Sequence, residues 1–436
     1  MIRNCAWLLL VTAAAWPGGA AAQAASPPPV DAGATAWLLT SSALVLMMTL
    51  PGLALFYGGL VRRKNVLAMA AQCVAAAAIA TVLWQLLGYS LAFGGGALWL
   101  GDLSKVLLQG VSLDPAAGVW IGGEAAGGFG LAVPELAFAM FQLTFAAIAP
   151  AIVAGAVADR MKFSAWVLFV ALWSLLVYAP VAHWVWSPGG VLFAMGALDF
   201  AGGAVVHINA GVAGLVAALM LGKRKASEPL TPHNLVLTLI GASLLWVGWF
   251  GFNAGSAIEA DGQAALAMLN TQLAAAAAAL VWMSLEWLLL KKPSLLGLAT
   301  GAVAGLVAIT PAAGLVETGA AMPIGAAGAI AAYLAVAYLK PALKYDDSLD
   351  AFGVHGAAGL AGAALTGWFA SEAVSGVAGG AGQVLIQLQA AGLTALYSAI
   401  ATALILLLLR FTIGLRVAPE AEREGLDYSL HGETLP

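Results

Sequence analysis

The sequence predicts an all-α polytopic membrane protein with eleven transmembrane helices, arranged as two inverted five-helix repeats followed by a final helix. Three observations support this prediction. The 436-residue chain is 62% hydrophobic and only 9% charged, whereas a soluble domain carries about 25% charged residues. Apolar segments of near-membrane length recur along the chain. A short motif that contains a histidine occurs twice, at residues 206–214 and 354–362.

The N-terminal segment has the features of a secretory signal peptide. Arg3 supplies a positive charge, residues 6–15 are apolar, and three successive alanines suit a cleavage site. An additional transmembrane helix is the alternative, but the apolar run is short and a Pro-Gly-Gly sequence ends it. We therefore expect a signal peptide at residues 1–22 and an extracytoplasmic linker at residues 23–36.

The transmembrane domain is predicted over residues 37–415, and a short charged tail follows at residues 416–436. Runs of apolar residues that match the thickness of a bilayer define its spans. The eleven predicted spans are residues 37–60, 67–93, 134–158, 163–181, 200–221, 235–254, 264–290, 294–310, 322–339, 352–369 and 390–415.

The basic residues predict the orientation of these spans. Clusters such as Arg62-Arg63-Lys64 and Lys223-Arg224-Lys225 follow odd-numbered spans. In the loops after even-numbered spans, Lys105 is the only lysine or arginine. Positively charged loops remain on the cytoplasmic side of a membrane. We therefore expect the N-terminus outside and the C-terminus in the cytoplasm.

The duplicated motif gains meaning from this topology. His207 falls in span five and His355 in span ten, so the two related segments run in opposite directions. Such an inverted repeat places its binding site near the middle of the membrane, between the halves. Asp199 and Asp350 lie upstream of the two histidines, and we expect both carboxylates to cap helix N-termini. Chance similarity between Ala/Gly-rich helices is the alternative; the shared Val-His pair favours the repeat.

Two histidines inside a membrane domain predict a lined pore. Ionisable side chains are costly there and usually face a pathway or one another. Neutral imidazoles could share a hydrogen bond and pass a proton between them. The alternative is a purely structural pair. A metal site is not predicted, because no third ligand has suitable spacing, and no cofactor is predicted.

Aromatic side chains form a second group of candidates. Phe141 and Phe145 are four residues apart and share one helix face, while Trp184 and Trp186 follow span four. A tryptophan face with phenylalanines attracts a small cation through the ring quadrupole. The alternatives are an interfacial aromatic belt for the tryptophans and ordinary packing for the phenylalanines.

Several classes of function are disfavoured. The sequence contains no Walker, HExxH or GxSxG motif, so an enzyme is not predicted. A net charge of −4 gives no reason to expect a nucleic-acid partner. Cys5 and Cys73 are the only cysteines, so no disulfide framework is available.

Taken together, these residues resemble the ammonium transporter (Amt/Mep/Rh) family, and specifically its bacterial Amt branch. The resemblance runs from about Trp37 to His431. It is carried by the segments FQLTFAAIAP, HWVW, GALDFAGGAVVHINAG, GWFGFNAGSA, DAFGVHGAAG and AEREGLDYSLHGE. It implies nitrogen uptake across a bacterial inner membrane by a homotrimer with one pore in each subunit.

The resemblance also implies roles for individual residues. The substrate-binding residues for ammonium would be Phe141, Phe145, Trp186, Ser256 and Asp199. The pore gate would be Phe145 and Phe252, and the pore lining would be His207, His355, Thr310 and Asn253. The tail would be regulatory, and a PII-type signal protein would dock at the cytoplasmic face.

The function predicted first is transport of ammonium: the cation is recruited outside, loses its proton and crosses as ammonia. An ammonium sensor that signals through a cytoplasmic partner is an alternative, disfavoured as the sole role because no signalling domain is appended. A gas channel of the Rh type is a further alternative, which Trp186 and the charged tail disfavour.

Overall fold

The computed structural model describes residues 29–109, 112–114, 119–121, 131–225 and 231–435. The predicted signal peptide and the first part of the linker lie outside these residues. The described residues are almost entirely helical, which confirms the predicted class. Small antiparallel hairpins after the second helix are the exception: β1 (Gly96–Ala97) with β2 (Leu100–Gly101), and β3 (Ser112–Asp114) with β4 (Val119–Ile121).

Long helices follow one another along the chain. They are α1 (Ala32–Leu60), α2 (Arg63–Phe93), α3 (Glu135–Val157), α4 (Phe163–Ala194, interrupted at 187–190), α5 (Gly203–Leu221), α6 (Leu235–Ala257), α7 (Gly262–Leu290), α8 (Leu295–Ile309), α9 (Thr318–Leu343), α10 (residues 352–369) and α11 (Ala381–Thr412). Within the described residues, nine of them, all except α8 and α10, are long and apolar enough to cross a membrane.

The helix boundaries differ from the predicted ones where polar residues are buried. Helix α11 begins at Ala381, whereas the predicted span begins at residue 390. Gln383 and Gln387 lower the hydropathy of this first part of α11, yet both side chains are buried. Helix α8 agrees closely with its predicted span, because the Ser294 hydroxyl accepts the Gly297 N–H and begins the helix there.

Helices α5 and α10 both contain a π-helical turn at their start. These turns are Gly203–Ile208 and Phe352–Ala357, and they contain His207 and His355 respectively. Single π-helical turns inside α-helices occur frequently at functional sites. Helices α1, α2, α4 and α9 contain π-helical turns too, so it is the position of the turn at the histidine that α5 and α10 share.

The recurring glycines of the duplicated motif lie where α5 and α10 cross. A Cβ atom added to Gly211 would lie 2.7 Å from the Gly356 Cα atom, which is too close for any side chain. A Cβ atom on Gly359 would lie 3.5 Å from the His207 Cβ atom. The helices therefore touch through their backbones, as small residues permit in membrane proteins.

Aspartates cap both of these helices. The Asp199 carboxylate accepts four backbone N–H groups at the start of α5, at 2.6 to 3.2 Å. At α10 the capping residue is Asp347, which accepts N–H groups from Ala351 and Phe352. The expectation that Asp350 caps this helix is therefore wrong; its carboxylate instead binds the Lys340 Nζ atom at 2.6 Å.

The charged tail folds back onto the helix bundle. It forms α12 (Pro419–Glu424) and α13 (Leu426–His431). The buried Glu422 carboxylate accepts the Lys225 backbone N–H, and Asp427 accepts the Ala68 N–H at 2.7 Å. The tail is therefore a docked element and not merely a solvated end.

Ion pairs connect the loops at this end of the bundle. The Arg224 guanidinium donates two hydrogen bonds to Asp346 and also lies 3.6 Å from Asp159. Burial acts to raise the pKa of Asp346, but the hydrogen bonds and charge of Arg224 lower it to about 2. Burial lowers the pKa of the neighbouring Arg160 to about 10. These loops are held by charges that remain paired at neutral pH.

Candidate functional site

Five rings form a continuous column through the centre of the bundle. The Trp186 ring contacts Phe145 at a centroid distance of 5.7 Å, and Phe145 contacts Phe252 at 4.3 Å. Phe252 stacks on His207 at 5.7 Å, and His207 stacks on His355 at 5.3 Å. Phe145, Phe252 and His207 are each at most 1% exposed. The candidates from five different helices therefore meet in one unbroken series of ring contacts.

The end of the column at Trp186 opens into a cavity of about 230 Å³, which we call the aromatic cavity. Phe145, Trp186 and Ser256 line it, together with Phe138 and Gln142, which the sequence reasoning missed. Phe138, Gln142 and Phe145 follow the i, i+4, i+7 spacing of one helix face. That spacing could have identified them, but it is also the spacing of an ordinary packing face.

The polar atoms of this cavity act as hydrogen-bond acceptors. The Ser256 hydroxyl donates its proton to the Phe252 carbonyl at 2.8 Å, which leaves its lone pairs as acceptors. The Gln142 Oε1 atom is buried and has no hydrogen-bond partner among the described residues. Acceptors beside aromatic faces suit a small cation that carries N–H groups.

Two further predicted residues support this cavity. Phe141 packs edge-on against Phe145, with a centroid distance of 4.9 Å. The Asp199 carboxylate is engaged by the N-terminus of α5, but the Asp199 backbone carbonyl accepts the Trp186 indole N–H at 2.9 Å. Asp199 therefore connects the start of α5, the helix that carries His207, to Trp186 in the cavity.

The two histidines are in direct contact. The Nδ1 atoms of His207 and His355 are 3.2 Å apart, and both side chains are buried. Two neutral rings can share one hydrogen bond here only if one carries its proton on Nδ1 and the other on Nε2. The His207 Nε2 atom has no partner among the described residues. The pair thus retains a free nitrogen at which a small amine could bind.

Thr310 and Asn253 lie one layer away from the histidines. The Thr310 hydroxyl accepts the Trp249 indole N–H at 2.9 Å, and Trp249 stacks on His207 at 5.3 Å. The Asn253 amide donates to Thr271 at 2.9 Å. The Thr310 hydroxyl and the Asn253 amide N–H are thus engaged with neighbouring helices, whereas the buried Asn253 Oδ1 atom has no partner among the described residues.

Below His355 a second cavity, of about 280 Å³, opens toward the end of the bundle that carries the tail. We call it the tail-side cavity. Its lining includes His355, the Lys340–Asp350 ion pair and Arg224. The aromatic cavity ends at Phe145 and the tail-side cavity begins at His355. Phe252 and His207 lie between these two residues in the series of ring contacts.

Comparisons with known proteins agree with this arrangement. Residues 36–435 match the model of the Ammonium Transporter Family. An ammonium transporter of Aquifex aeolicus is 52% identical over 410 residues, which cover 93% of both chains.

Solved structures are similar as well. The crystal structure of Saccharomyces cerevisiae Mep2 superposes with a TM-score of 0.81 at 34% identity, covering 90% of this chain and 88% of that one. A structure described as a sensor Amt protein also gives a TM-score of 0.81, at 29% identity, covering 92% of this chain and 98% of that one.

Proposed function

This chain belongs to the ammonium transporter family, and we propose that it recruits ammonium at the aromatic cavity, where the cation releases its proton to the adjoining solvent, and conducts ammonia past the paired histidines. It is a membrane transporter and not an enzyme. In this proposal Trp186, Phe145 and Ser256 bind the cation, with Gln142 as an additional acceptor. Phe145 and Phe252 act as the gate.

One observation carries the proposal: the column between the cavities consists of buried rings in contact with one another. An ion that leaves water for such a region loses most of its hydration free energy, ideally about 20 kcal/mol for a medium of low dielectric constant. Burial therefore favours the neutral form of an amine. Ammonium can become neutral by losing a proton, whereas potassium cannot, and this difference provides selectivity.

The histidines serve the neutral species in this mechanism. An unprotonated ring nitrogen accepts a hydrogen bond from ammonia, and a ring N–H donates to its lone pair. Because His207 and His355 touch, a proton can shift between them without a large movement of either ring. Asp199 holds the N-terminus of α5, and thereby His207, in position.

We also propose a topology for the membrane domain. The domain would have eleven spans, arranged as two inverted halves followed by α11, in a bacterial inner membrane. The aromatic cavity would face the outside, and the tail-side cavity would face the cytoplasm. The basic loops at the tail end support this orientation. The N-terminal segment would be a signal peptide at residues 1–22, and three subunits would assemble as a homotrimer.

The tail at residues 416–436 would be regulatory, and a PII-type signal protein would bind at the cytoplasmic face. The support is the position of the tail: its Glu422 carboxylate accepts the Lys225 backbone N–H, and the Glu422 carbonyl accepts a hydrogen bond from Arg62 at 3.2 Å. A partner that displaces the tail would therefore disturb the loops beside the tail-side cavity.

A sensor function is the second candidate, since one structural neighbour is described as a sensor Amt protein. Electrical recording separates the two functions. Purified protein in liposomes should give an ammonium-dependent current or ammonium uptake, with none for potassium. Binding of ammonium without any uptake would favour the sensor and contradict the transport mechanism.

A further inference from the structure

Helix α11 carries a pair of buried glutamines, outside the two helices α5 and α10 that carry the paired histidines. Gln387 is 2% exposed and Gln383 is 9% exposed. A buried amide is expensive unless its hydrogen bonds are satisfied. These side chains must therefore have a structural or functional partner, and the partner lies in the segment between α4 and α5.

Gln387 pairs with both backbone groups of a single residue. Its Oε1 atom accepts the Leu198 N–H at 2.7 Å, and its Nε2 group donates to the Leu198 carbonyl at 2.6 Å. The Gln383 amide donates to the Gly196 carbonyl at 2.9 Å and lies 3.4 Å from the Gln387 Oε1 atom. The two glutamines thus fix the backbone of residues 196–198.

This fixed segment leads directly into the aromatic cavity. Leu198 precedes Asp199, whose carbonyl accepts the Trp186 indole N–H at 2.9 Å. The Phe200 side chain lines the cavity. A displacement of Leu198 would therefore move the partner of Trp186 and one wall of the cavity together.

We infer that Gln387 is a positioning residue for the ammonium-binding site. It acts from α11, through Leu198 and Asp199, on the orientation of the Trp186 ring. The inference rests on the proposed function, because it assumes that ammonium binds in the aromatic cavity. It gives α11 a role in recognition in addition to its role as a final membrane helix.

The test measures ammonium uptake by purified protein in liposomes and separates the half-saturation concentration from the maximal rate. Gln387→Leu keeps the size of the side chain but removes both hydrogen bonds. We expect its half-saturation concentration to rise about tenfold, while the maximal rate changes by less than about twofold. A tenfold change corresponds to about 1.4 kcal/mol, the scale of one or two buried hydrogen bonds.

Gln387→Glu provides a second variant in case the leucine variant does not fold. A protonated glutamic acid can both accept from and donate to Leu198, whereas its carboxylate can only accept. The ratio of its half-saturation concentration to that of the wild type should approach one as the pH falls. A ratio that stays well above one even at the lowest pH would contradict the proposed role of the two hydrogen bonds to Leu198.

Thr402→Val is the matched control. Thr402 lies on the same helix and accepts the Trp173 indole N–H at 3.1 Å, away from the aromatic cavity. Its half-saturation concentration should equal that of the wild type. An equal increase in this control would show that any weakening of α11 has the same effect, which would overturn a specific role for Gln387.

Trp186→Leu distinguishes failure of the inference from failure of the proposed function. If this variant binds ammonium normally, the aromatic cavity is not the binding site and the proposed function fails with it. If Trp186→Leu raises the half-saturation concentration but Gln387→Leu lowers only the maximal rate or changes nothing, the binding site stands and the inference is wrong.

Discussion

Asp199 and Asp347 occupy matching positions at the two ends of the ring column. Each lies eight residues before one of the paired histidines and accepts backbone N–H groups of the helix that carries it. Asp199 lies beside the aromatic cavity. Asp347 lies beside the tail-side cavity, because the next residue, Ser348, lines that cavity. This equivalence supports the proposal of two inverted halves more directly than the motif alone.

Replacement of either histidine should impair selective transport. In His207→Ala or His355→Ala, the remaining ring loses its 3.2 Å partner. We expect ammonium uptake to fall about tenfold, the change that 1.4 kcal/mol of barrier produces, or potassium to enter the widened column. Uptake and potassium current in liposomes measure both effects. His233→Ala, in the loop before α6, is the control, and wild-type behaviour in both pore variants would contradict the proposed lumen.

Removal of the two contacting phenylalanines should open the column to ions. Phe145 and Phe252 lie 4.3 Å apart and are almost completely buried. The double variant Phe145→Ala/Phe252→Ala would admit water and lower the cost of moving a cation. We expect potassium leak to rise about tenfold or more. Phe411→Ala is the control: this side chain is 82% exposed, so its removal should leave the potassium leak unchanged. No increase of the potassium leak in the double variant would argue against a gate.

Gln142→Leu should weaken ammonium binding without blocking passage. The unpartnered Oε1 atom can accept a hydrogen bond from a cation, and such bonds contribute about 1.5–3 kcal/mol. The half-saturation concentration should therefore rise about tenfold or more. Gln272→Leu, which removes an exposed hydrogen bond to Trp246, serves for comparison. Equal half-saturation concentrations in the two variants would exclude Gln142 from the binding site.

Asp347 should make stability depend on pH. Burial, with repulsion from Asp350, raises its pKa to about 6, whereas an unfolded aspartate has a pKa of about 3.9. The folded protein therefore binds this proton more tightly, and the free energy of unfolding should fall by about 3 kcal/mol as the pH rises from about 4 to about 6.

Asp347→Asn should remove this contribution. Thermal unfolding in detergent at several pH values would measure it as the difference between the two profiles. Asp346 is the neighbouring comparison: its pKa is about 2, so Asp346→Asn should not flatten the profile between pH 4 and 6. Parallel profiles for wild type and Asp347→Asn would show that Asp347 does not titrate in this range.

Hydropathy and the duplicated motif predicted the helical class, most helix positions and the meeting of His207 with His355. They succeeded because a bilayer imposes a fixed length on apolar segments and because a repeated motif carries a repeated structure. Asp347 was missed because Asp350 lies closer to the motif, although the eight-residue spacing shared with Asp199 was present in the sequence.

Other features could not be separated by sequence pattern alone. The early start of α11 was hidden because Gln383 and Gln387 resemble loop residues until their backbone partners are known. Phe138 and Gln142 share a helix face with Phe145, but a packing face has the same period. The docked tail was hidden because charged residues such as Glu422 are usually solvated.

The crossing of α5 and α10 at Gly211 and Gly359 also determines how the transporter can be altered. The distance between α5 and α10 at the histidines, and with it the bore of the column, is set by two main chains in contact. A Gly211→Ala substitution would act as a spacer that separates the imidazoles while every pore side chain keeps its identity. Bore and chemistry can thus be varied independently.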